Sequence, residues 1–269
     1  MQLSEAGELG VLRELESRGL IVGTEHDAAE LAGGLVVTQD ALLEGVHFRL
    51  DWISWRELGF RAAAVNISDL SASAARPEAL LVTLALPGNT RTHDVIELYE
   101  GIAETGVPVV GGDTTQGDQV VVSVTALGRS ERVPGRAGAR PGDVVVVTGP
   151  LGAAGAAFRE QRYVRPPIRT DDGLRLGREA TAMLDVSDGL GSDAARIAER
   201  SGCRIAIDLG TVPLGGRIED LSFGEDYELL AALPSDSPLL GELAVIGRCE
   251  EGSGVSPPEL GGYEHFSSG

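Results

Sequence analysis

A chain of 269 residues with 42% hydrophobic residues and 37 glycines can form one large domain or two domains of about 130 residues each. All 22 basic residues are arginine, and the absence of lysine excludes P-loop enzymes, protein kinases and Schiff-base enzymes, which all need an amine. A formal net charge of -19 argues against duplex nucleic acid as a partner, although divalent cations can bridge an acidic protein to a polyphosphate.

Membrane and redox signals are weak in this sequence. No apolar run approaches the roughly 20 residues that cross a bilayer, and residues 1–20 have the pattern of an acidic amphipathic helix rather than a signal peptide. Cys203 and Cys249 have neither the spacing of a metal site nor that of a disulfide framework. We therefore expect a cytoplasmic protein that has no membrane partner.

The first half of the chain alternates apolar runs with helical patterns, which is typical of α/β layering. The pattern predicts strands over 33–40 and 78–87, and helices over about 54–75 and 93–106. The first strand is predicted to end at Asp40, and Ser54 is a candidate N-cap of the first helix. Two valine-rich runs, 107–113 and 119–128, are predicted strands around a turn over 111–117.

A loop rich in glycine, proline and arginine follows over 129–143 and is the best candidate for a domain boundary. It divides the chain into a predicted N-terminal domain, 1–130, and a predicted C-terminal domain, 131–269. The second half begins with a strand, a glycine turn and a small-residue helix over 144–158. Over 170–202 the pattern predicts two helices separated by a turn at Asp185–Gly189, and three strands follow over 203–210, 227–234 and 242–249.

Several aspartates lie where these predicted elements end, namely Asp27, Asp40, Asp69, Asp113 and the pair Asp185 and Asp188. Each one alone could cap a helix or start a turn. If several converge, however, their mutual repulsion needs cations, and a ligand set made only of oxygen favours Mg²⁺. An EF-hand over 185–196 is excluded, because glycine falls at position 5 and Arg196 takes the last position.

Three further motifs are ambiguous by themselves. The spacing G-x-x-G-x-x-G at 149–155 is weak evidence for a dinucleotide site and fits close helix–strand packing equally well. His47 is either a buried imidazole or a ligand contact. Glu225 and Asp226 precede a predicted strand, where a solvated turn is the simplest interpretation.

Taken in order, the motifs TQDALLEGVHF, AVNISDLSASAARP, VVGGDTTQG, RAGARPGD, TGPLGAAG, LDVSDGL, GEDYELL and GYEHF resemble the bacterial thiamine-monophosphate kinase family. The likeness extends from about residue 23 to residue 266. It implies a two-domain α/β (mixed α+β) fold like that of aminoimidazole ribonucleotide synthetase, with an N-terminal domain that gives strands to a dimeric β-barrel. It also implies that a homodimer transfers the γ-phosphoryl group of ATP to thiamine monophosphate, assisted by several Mg²⁺ ions.

The resemblance also assigns roles to matching positions. It implies magnesium ligands at Asp27, Thr38, Gln39, Asp40, Asp69, Asp113, Asp185 and Asp188. It implies contacts to ATP from Tyr99, Gly112, Asp113, Arg136 and Ser187, and contacts to thiamine monophosphate from His47, Glu225 and Tyr263. Asp69, Asp113 and Arg136 would carry catalysis.

Some positions depart from the family pattern. His26 stands where an aspartate is usual, and Gln39 stands where a threonine is usual. These departures leave two alternatives, which are another ATP-using synthetase of the same superfamily and a non-catalytic nucleotide- or metal-binding relative. Selenophosphate synthetase is disfavoured because this chain lacks the reactive N-terminal cysteine and the nearby lysine of that enzyme.

Overall fold

The computed structural model describes residues 3–22 and 26–263. Motif residues 23–25 and 264–266 lie outside this range. The chain opens with helix α1 (Leu3–Ser17), which is interrupted at Gly7. The N-terminal half then contains β1 (Ala29–Leu31), β2 (Leu35–Leu43), α2 (Trp55–Ala72), β3 (Arg76–Leu86), α3 (Thr92–Ala103), β4 (Val109–Gln116) and β5 (Val121–Arg129).

The C-terminal half has a second set of elements, joined to the first by the predicted loop over 129–143. It contains β6 (Val144–Val147), α4 (Ala153–Arg159), α5 (Thr170–Leu176), β7 (Ala182–Asp185), α6 (Leu190–Ser201), β8 (Arg204–Ile207), β9 (Leu229–Leu233), β10 (Ala244–Glu250) and β11 (Gly254–Ser256). Two 3-10 helices lie at Ile218–Ser222 and Pro238–Gly241.

The N-terminal sheet has the strand order β1-β2-β5-β3-β4, in which only β3 and β4 run parallel. Buried and accessible residues alternate along β5, so that one face of the sheet packs on the core and the other remains accessible. Helix α2 covers the buried face, and Ser54 caps its first turn by accepting a hydrogen bond of 3.2 Å from the Glu57 amide. The predicted cap is confirmed.

The C-terminal sheet has the order β11-β8-β10-β6-β9-β7. Strand β7 lies inside the segment where the sequence pattern predicted only two helices and a turn, and that prediction was wrong. All four residues of β7 are buried, so the strand has no polar–apolar alternation by which it could be distinguished from a buried helix. Ala72 and Ala74, at the end of α2, pack in one apolar cluster with Met183 and Leu229, which joins the two halves.

The predicted turn at 111–117 is also wrong. Strand β4 continues through these residues to Gln116 and pairs with β3, including Gly112 with Val82 and Asp113 with Thr83. Gly112 has φ +146°, and a Cβ built on it would lie 1.8 Å from the Val82 carbonyl oxygen. The glycine is therefore needed for the close approach of two strands.

Strand β2 likewise passes Asp40 and ends at Leu43, where it still pairs with β5. The prediction that the strand ends at Asp40 was wrong, because the polar Gln39 and Asp40 lie within a strand whose pairing partners are continuous. No helix in the described ranges is long and apolar enough to cross a membrane. The cytoplasmic location stays a prediction.

Candidate active site

A cavity of about 410 Å³ lies between the two halves, bordered by β2 and α2 on one side and by the segments after β7 and before β9 on the other. Most of the residues singled out from the sequence line it. They are Asp27, Thr38, Gln39, Asp40, His47, Asp69, Arg136, Asp185, Ser187, Asp188, Glu225 and Tyr263.

Three carboxylates form the centre of this pocket. Asp27 precedes β1, Asp69 lies in the last turn of α2, and Asp185 is the last residue of β7. One carboxylate oxygen from each lies within 4.8 Å of the others. The fold thus brings together acidic side chains that are up to 158 positions apart in the sequence.

Hydrogen bonds fix the orientation of each carboxylate. The Thr38 hydroxyl donates to Asp69 Oδ2 over 2.6 Å, and the Ser68 hydroxyl donates to Asp185 Oδ2 over 2.5 Å. The Arg136 guanidinium donates to Asp27 Oδ1 through Nη2 at 2.5 Å and Nε at 3.1 Å. These donors hold the acidic oxygens in place before any ligand binds.

The electrostatics of the cluster favour a cation. Burial and the neighbouring charges of Asp40, Asp185 and Asp27 raise the pKa of Asp69 well above its usual range. Burial and the charge of Asp27 do the same for the pKa of Asp185, which the Ser68 hydrogen bond partly offsets. The negative end of the α2 dipole also points to this cluster, since Asp69 lies in the last turn. Closely spaced oxygen donors with unfavourable mutual charge fit a hard divalent cation such as Mg²⁺.

The turn after β7 is organised by a residue that the sequence analysis missed. Asp193, on α6, accepts hydrogen bonds from the amides of Asp188 and Gly189 at 3.0 and 3.1 Å. Burial raises the pKa of Asp193 to about 7, although Arg196 lowers it. Arg196 lines the pocket and forms ion pairs with both Asp193 and Asp188. The spacing Asp-x-x-Arg within a helix was the available signal for this pair.

Aromatic side chains also line the pocket, and most of them were not predicted from the sequence. Phe158 and Phe223 have ring centroids 4.9 Å apart, while Trp52 packs edge-on against Phe158 at 5.3 Å and lies 6.1 Å from Tyr163. We call Phe158, Tyr163 and Phe223 the aromatic wall. Five of the ten aromatic residues in the described part of the chain line this pocket, and the scarcity of aromatic side chains was the overlooked signal.

The GEDYEL motif has a structural role as well as a place in the pocket. Asp226 is buried and accepts hydrogen bonds from the amides of Gly152 at 2.6 Å and Ala154 at 3.2 Å, which fixes the start of α4. Burial raises the pKa of Asp226 to about 6, although these amides lower it. Two residues on, Glu228 accepts two hydrogen bonds of 2.7 Å from Arg169. The glycine turn at 149–155 is thus held by the motif, which supports the packing interpretation of these glycines.

We expect Asp226→Ala to lower the free energy of unfolding by about 1–3 kcal/mol, because the buried amides of Gly152 and Ala154 lose their acceptor. Asp226→Asn keeps one carbonyl oxygen and should cost less. Urea unfolding followed by circular dichroism measures both variants, with the exposed Asp236→Ala as the matched control. An alanine variant as stable as the control would contradict this role.

Three predicted site residues lie outside the pocket. Tyr99 packs against the N-terminal core, while Gly112 and Asp113 lie on β4 at the far edge of the sheet. Asp113 on β4 lies opposite Thr83 on β3. Thr83 lies opposite Ser123 on β5, which in turn lies opposite Ala41 on β2. Because neighbouring strands are about 4.8 Å apart, the Asp113 backbone lies roughly 14 Å from the pocket-lining strand of the same chain.

Comparisons with known proteins agree with this architecture. Residues 25–130 match the family described as AIR synthase related protein, N-terminal domain, and residues 140–256 match the corresponding C-terminal domain. The thiamine-monophosphate kinase of Aquifex aeolicus is 33% identical over an alignment 310 positions long, gaps included, which covers 99% of this chain and 100% of that protein. The chain belongs to the thiamine-monophosphate kinase family.

Further relatives of this kinase family extend the match. The thiamine-monophosphate kinase of Methanopyrus kandleri is 35% identical and covers 86% of this chain and 84% of its own length. A solved structure, AaThiL complexed with AMPPCP and TMP, has a TM-score of 0.91 at 34% identity and covers 99% of both chains. The expected family, two-domain α/β fold and enzyme class, a kinase, are therefore confirmed.

Proposed function

We propose that this protein transfers the γ-phosphoryl group of ATP to the phosphate of thiamine monophosphate, which yields thiamine diphosphate and ADP. The observation that carries the proposal is one pocket that is lined both by the cluster of Asp27, Asp69 and Asp185 and by the aromatic wall. An ATP analogue and TMP bound to the similar solved structure support the same pair of substrates.

The acidic cluster would hold magnesium through Asp27, Asp69 and Asp185. Thr38, Gln39, Asp40 and Asp188 line the same pocket and are proposed as further ligands, directly or through water. Bound Mg²⁺ would neutralise the phosphate oxygens, which lets two anionic substrates approach each other.

The protein groups around the phosphates would position rather than react. Arg136 supplies a fixed positive charge beside the acidic cluster and would contact ATP, as would Ser187. The acceptor is a phosphate whose oxygens are already acidic, so that no strong general base is required. The absence of lysine is compatible with this chemistry, because cations and arginine provide the charge stabilisation.

The aromatic wall suits the rings of thiamine. Phe158, Tyr163 and Phe223 offer apolar and π surface to a cationic thiazolium ring. Glu225, which is partly exposed in the pocket, would add a negative charge near that cation. His47 and Tyr263 border the same cavity and are proposed contacts to the substrate.

We further propose a homodimer in which β4 of one subunit completes the site of the other. Gly112 and Asp113 lie too far from the pocket of their own chain to act there, yet β4 is an exposed edge strand. Leu81 on the neighbouring strand is also 38% exposed and lies on the same accessible face of the sheet. Tyr99, on α3, is the remaining proposed contact to ATP. The barrel expected from the family would use this face.

Complementation between inactive variants tests the shared site. Asp69→Asn and Asp113→Asn should each be weakly active alone, but an equal mixture of refolded or co-expressed subunits should recover about a quarter of parental activity, because half of the dimers then have one intact site. A mixture no more active than its components, in a sample shown to be dimeric by light scattering, would contradict the contribution of Asp113 across the interface.

The function itself is tested by ADP formation. The protein is incubated with ATP and Mg²⁺, alone, with thiamine monophosphate, or with thiamine, and the products are separated by chromatography. We expect ADP and thiamine diphosphate in equal amounts only with thiamine monophosphate, and no reaction with excess EDTA. ADP formation that does not depend on thiamine monophosphate would refute the proposal, and phosphorylation of thiamine would indicate a different kinase.

A further inference from the structure

One buried arginine next to the pocket has no role in the chemistry described above. Arg61 lies on α2 with only 2% of its surface exposed, and its side chain crosses from the N-terminal half to the C-terminal half. There it forms an ion pair with Glu225, and its guanidinium carbon lies 5.1 Å from the centre of the Tyr163 ring. Glu225 and Tyr163 both line the pocket, whereas Arg61 does not.

Burial of Arg61 is not explained by stability alone. Moving a guanidinium out of water is costly, and one good ion pair often does no more than offset that cost. Among the described residues, neither Nε nor Nη2 of Arg61 makes a hydrogen bond, although Nη2 forms the ion pair with Glu225, so the charge is incompletely compensated. A buried guanidinium with an incomplete set of partners is therefore a candidate for a role in the pocket beside it.

The partner of Arg61 is held in an unusual backbone conformation. Glu225 has φ +58° and Tyr227 has φ +53°, both in the left-handed region that non-glycine residues seldom adopt. The amides of these two residues donate to the carbonyls of Ser187 and Val186, which fixes the segment beside Asp185. The backbone and Arg61 together therefore determine where the Glu225 carboxylate lies.

Tyr163 is carried by the loop between α4 and α5, which has a second and independent anchor. Arg165 in that loop pairs with Glu57 of α2 and with Glu104 after α3, and its guanidinium carbon lies 4.0 Å from the centre of the Phe60 ring. Loss of Arg61 would thus release the Tyr163 ring and the Glu225 carboxylate without detaching the loop from the helix.

We propose that Arg61 is a positioning residue for the acceptor end of the pocket. It holds the Glu225 carboxylate with one edge of its guanidinium and the Tyr163 ring with its face, so that a negative charge and a π surface are presented together to a cationic heteroaromatic ring. This inference rests on the proposed function, since it concerns how thiamine monophosphate, and not ATP, is recognised.

The experiment compares Arg61→Met, Arg61→Lys and the matched control Arg56→Met. Arg56 is on the same helix and is exposed, where it pairs with Glu100 and Glu104. For Arg61→Met we expect the KM and the calorimetric Kd for thiamine monophosphate to rise at least about fivefold, while the KM for ATP changes less than about twofold. Arg61→Lys keeps the charge but not the planar face, and should give an intermediate increase.

A double-mutant cycle with Glu225→Gln completes the test. If Arg61 acts through Glu225, the two effects on the Kd for thiamine monophosphate combine to less than their product. Equal changes in both KM values, or a fall in kcat that follows a loss of folded protein, would show a merely structural role and overturn the proposal. If Arg61→Met does not fold, Arg61→Lys and Glu225→Gln provide the test. In each, the KM for thiamine monophosphate should rise while the KM for ATP stays nearly unchanged. Failure of the parent enzyme to phosphorylate thiamine monophosphate would refute the proposed function instead.

Discussion

Replacement of Asp69 by asparagine is expected to lower kcat for thiamine diphosphate formation at least about tenfold, because one of three clustered carboxylates loses the charge that a bridging cation needs. The side chain keeps nearly the same shape, and the Thr38 hydroxyl can still donate to the remaining carbonyl oxygen. The loss should therefore come from charge rather than from packing. The kinetics are measured over a range of Mg²⁺ concentrations, since a weakened metal site shows most clearly when Mg²⁺ is limiting.

Stability provides the control for the same substitution. Without metal, Asp69 is destabilised by burial and by Asp40, Asp185 and Asp27, so that Asp69→Asn should unfold at the same temperature as the parent or a higher one. A variant that is less active but no less stable identifies a functional carboxylate. Asp236→Asn, in an exposed turn, should change neither quantity. Near-parental turnover of Asp69→Asn at limiting Mg²⁺ would be incompatible with the metal role.

The metal-free protein should lose stability as the pH rises above about 4, and the part due to Asp193 should be lost by its folded pKa of about 7. The pKa values of Asp69 and Asp185 are raised in the folded state, and that of Asp193 reaches about 7 from an ordinary value of 3.8. Between the unfolded and folded pKa values, the folded protein binds protons that the unfolded chain has already released. Folding is therefore favoured at low pH, and this advantage disappears as the pH passes the folded pKa values.

Magnesium should flatten this dependence, because the cation takes over the neutralisation that protons provide at low pH. Urea unfolding at several pH values, with EDTA and with excess Mg²⁺, measures how the free energy of unfolding depends on pH without and with the cation. In EDTA, this dependence for Asp69→Asn should be weaker than that of the parent in EDTA and stronger than that of the parent with Mg²⁺. A free energy of unfolding that rises with pH in EDTA would mean that the carboxylates are ionised and stabilised without metal, contrary to the geometry of the cluster.

The sequence identified the acidic centre of the site better than it identified the surrounding structure. Aspartates at the boundaries of apolar runs converge in the pocket, although the strand that ends at Asp185 was not predicted. Asp40 and Asp113 do not end strands, because backbone pairing with β5 and β3 continues past them, and pairing between distant segments leaves no local trace. Gly112 was taken for a turn residue for the same reason.

Other parts of the site depend on long-range packing and could not be seen in a local pattern. The aromatic wall combines residues from α4, from the loop after it and from the segment before β9. Arg61 was not singled out from the sequence, since only the folded chain reveals its partner on the other half of the molecule. The proposed metal ligands, ATP contacts and domain boundary between 130 and 131 stay predictions.

The apolar cluster of Ala72, Ala74, Met183 and Leu229 should prevent the two halves from folding separately. A fragment cut at the connecting loop would leave the end of α2 without its cover and would expose one side of β9 and β7. The halves should therefore melt in a single calorimetric transition, and neither should be obtainable as an autonomous module.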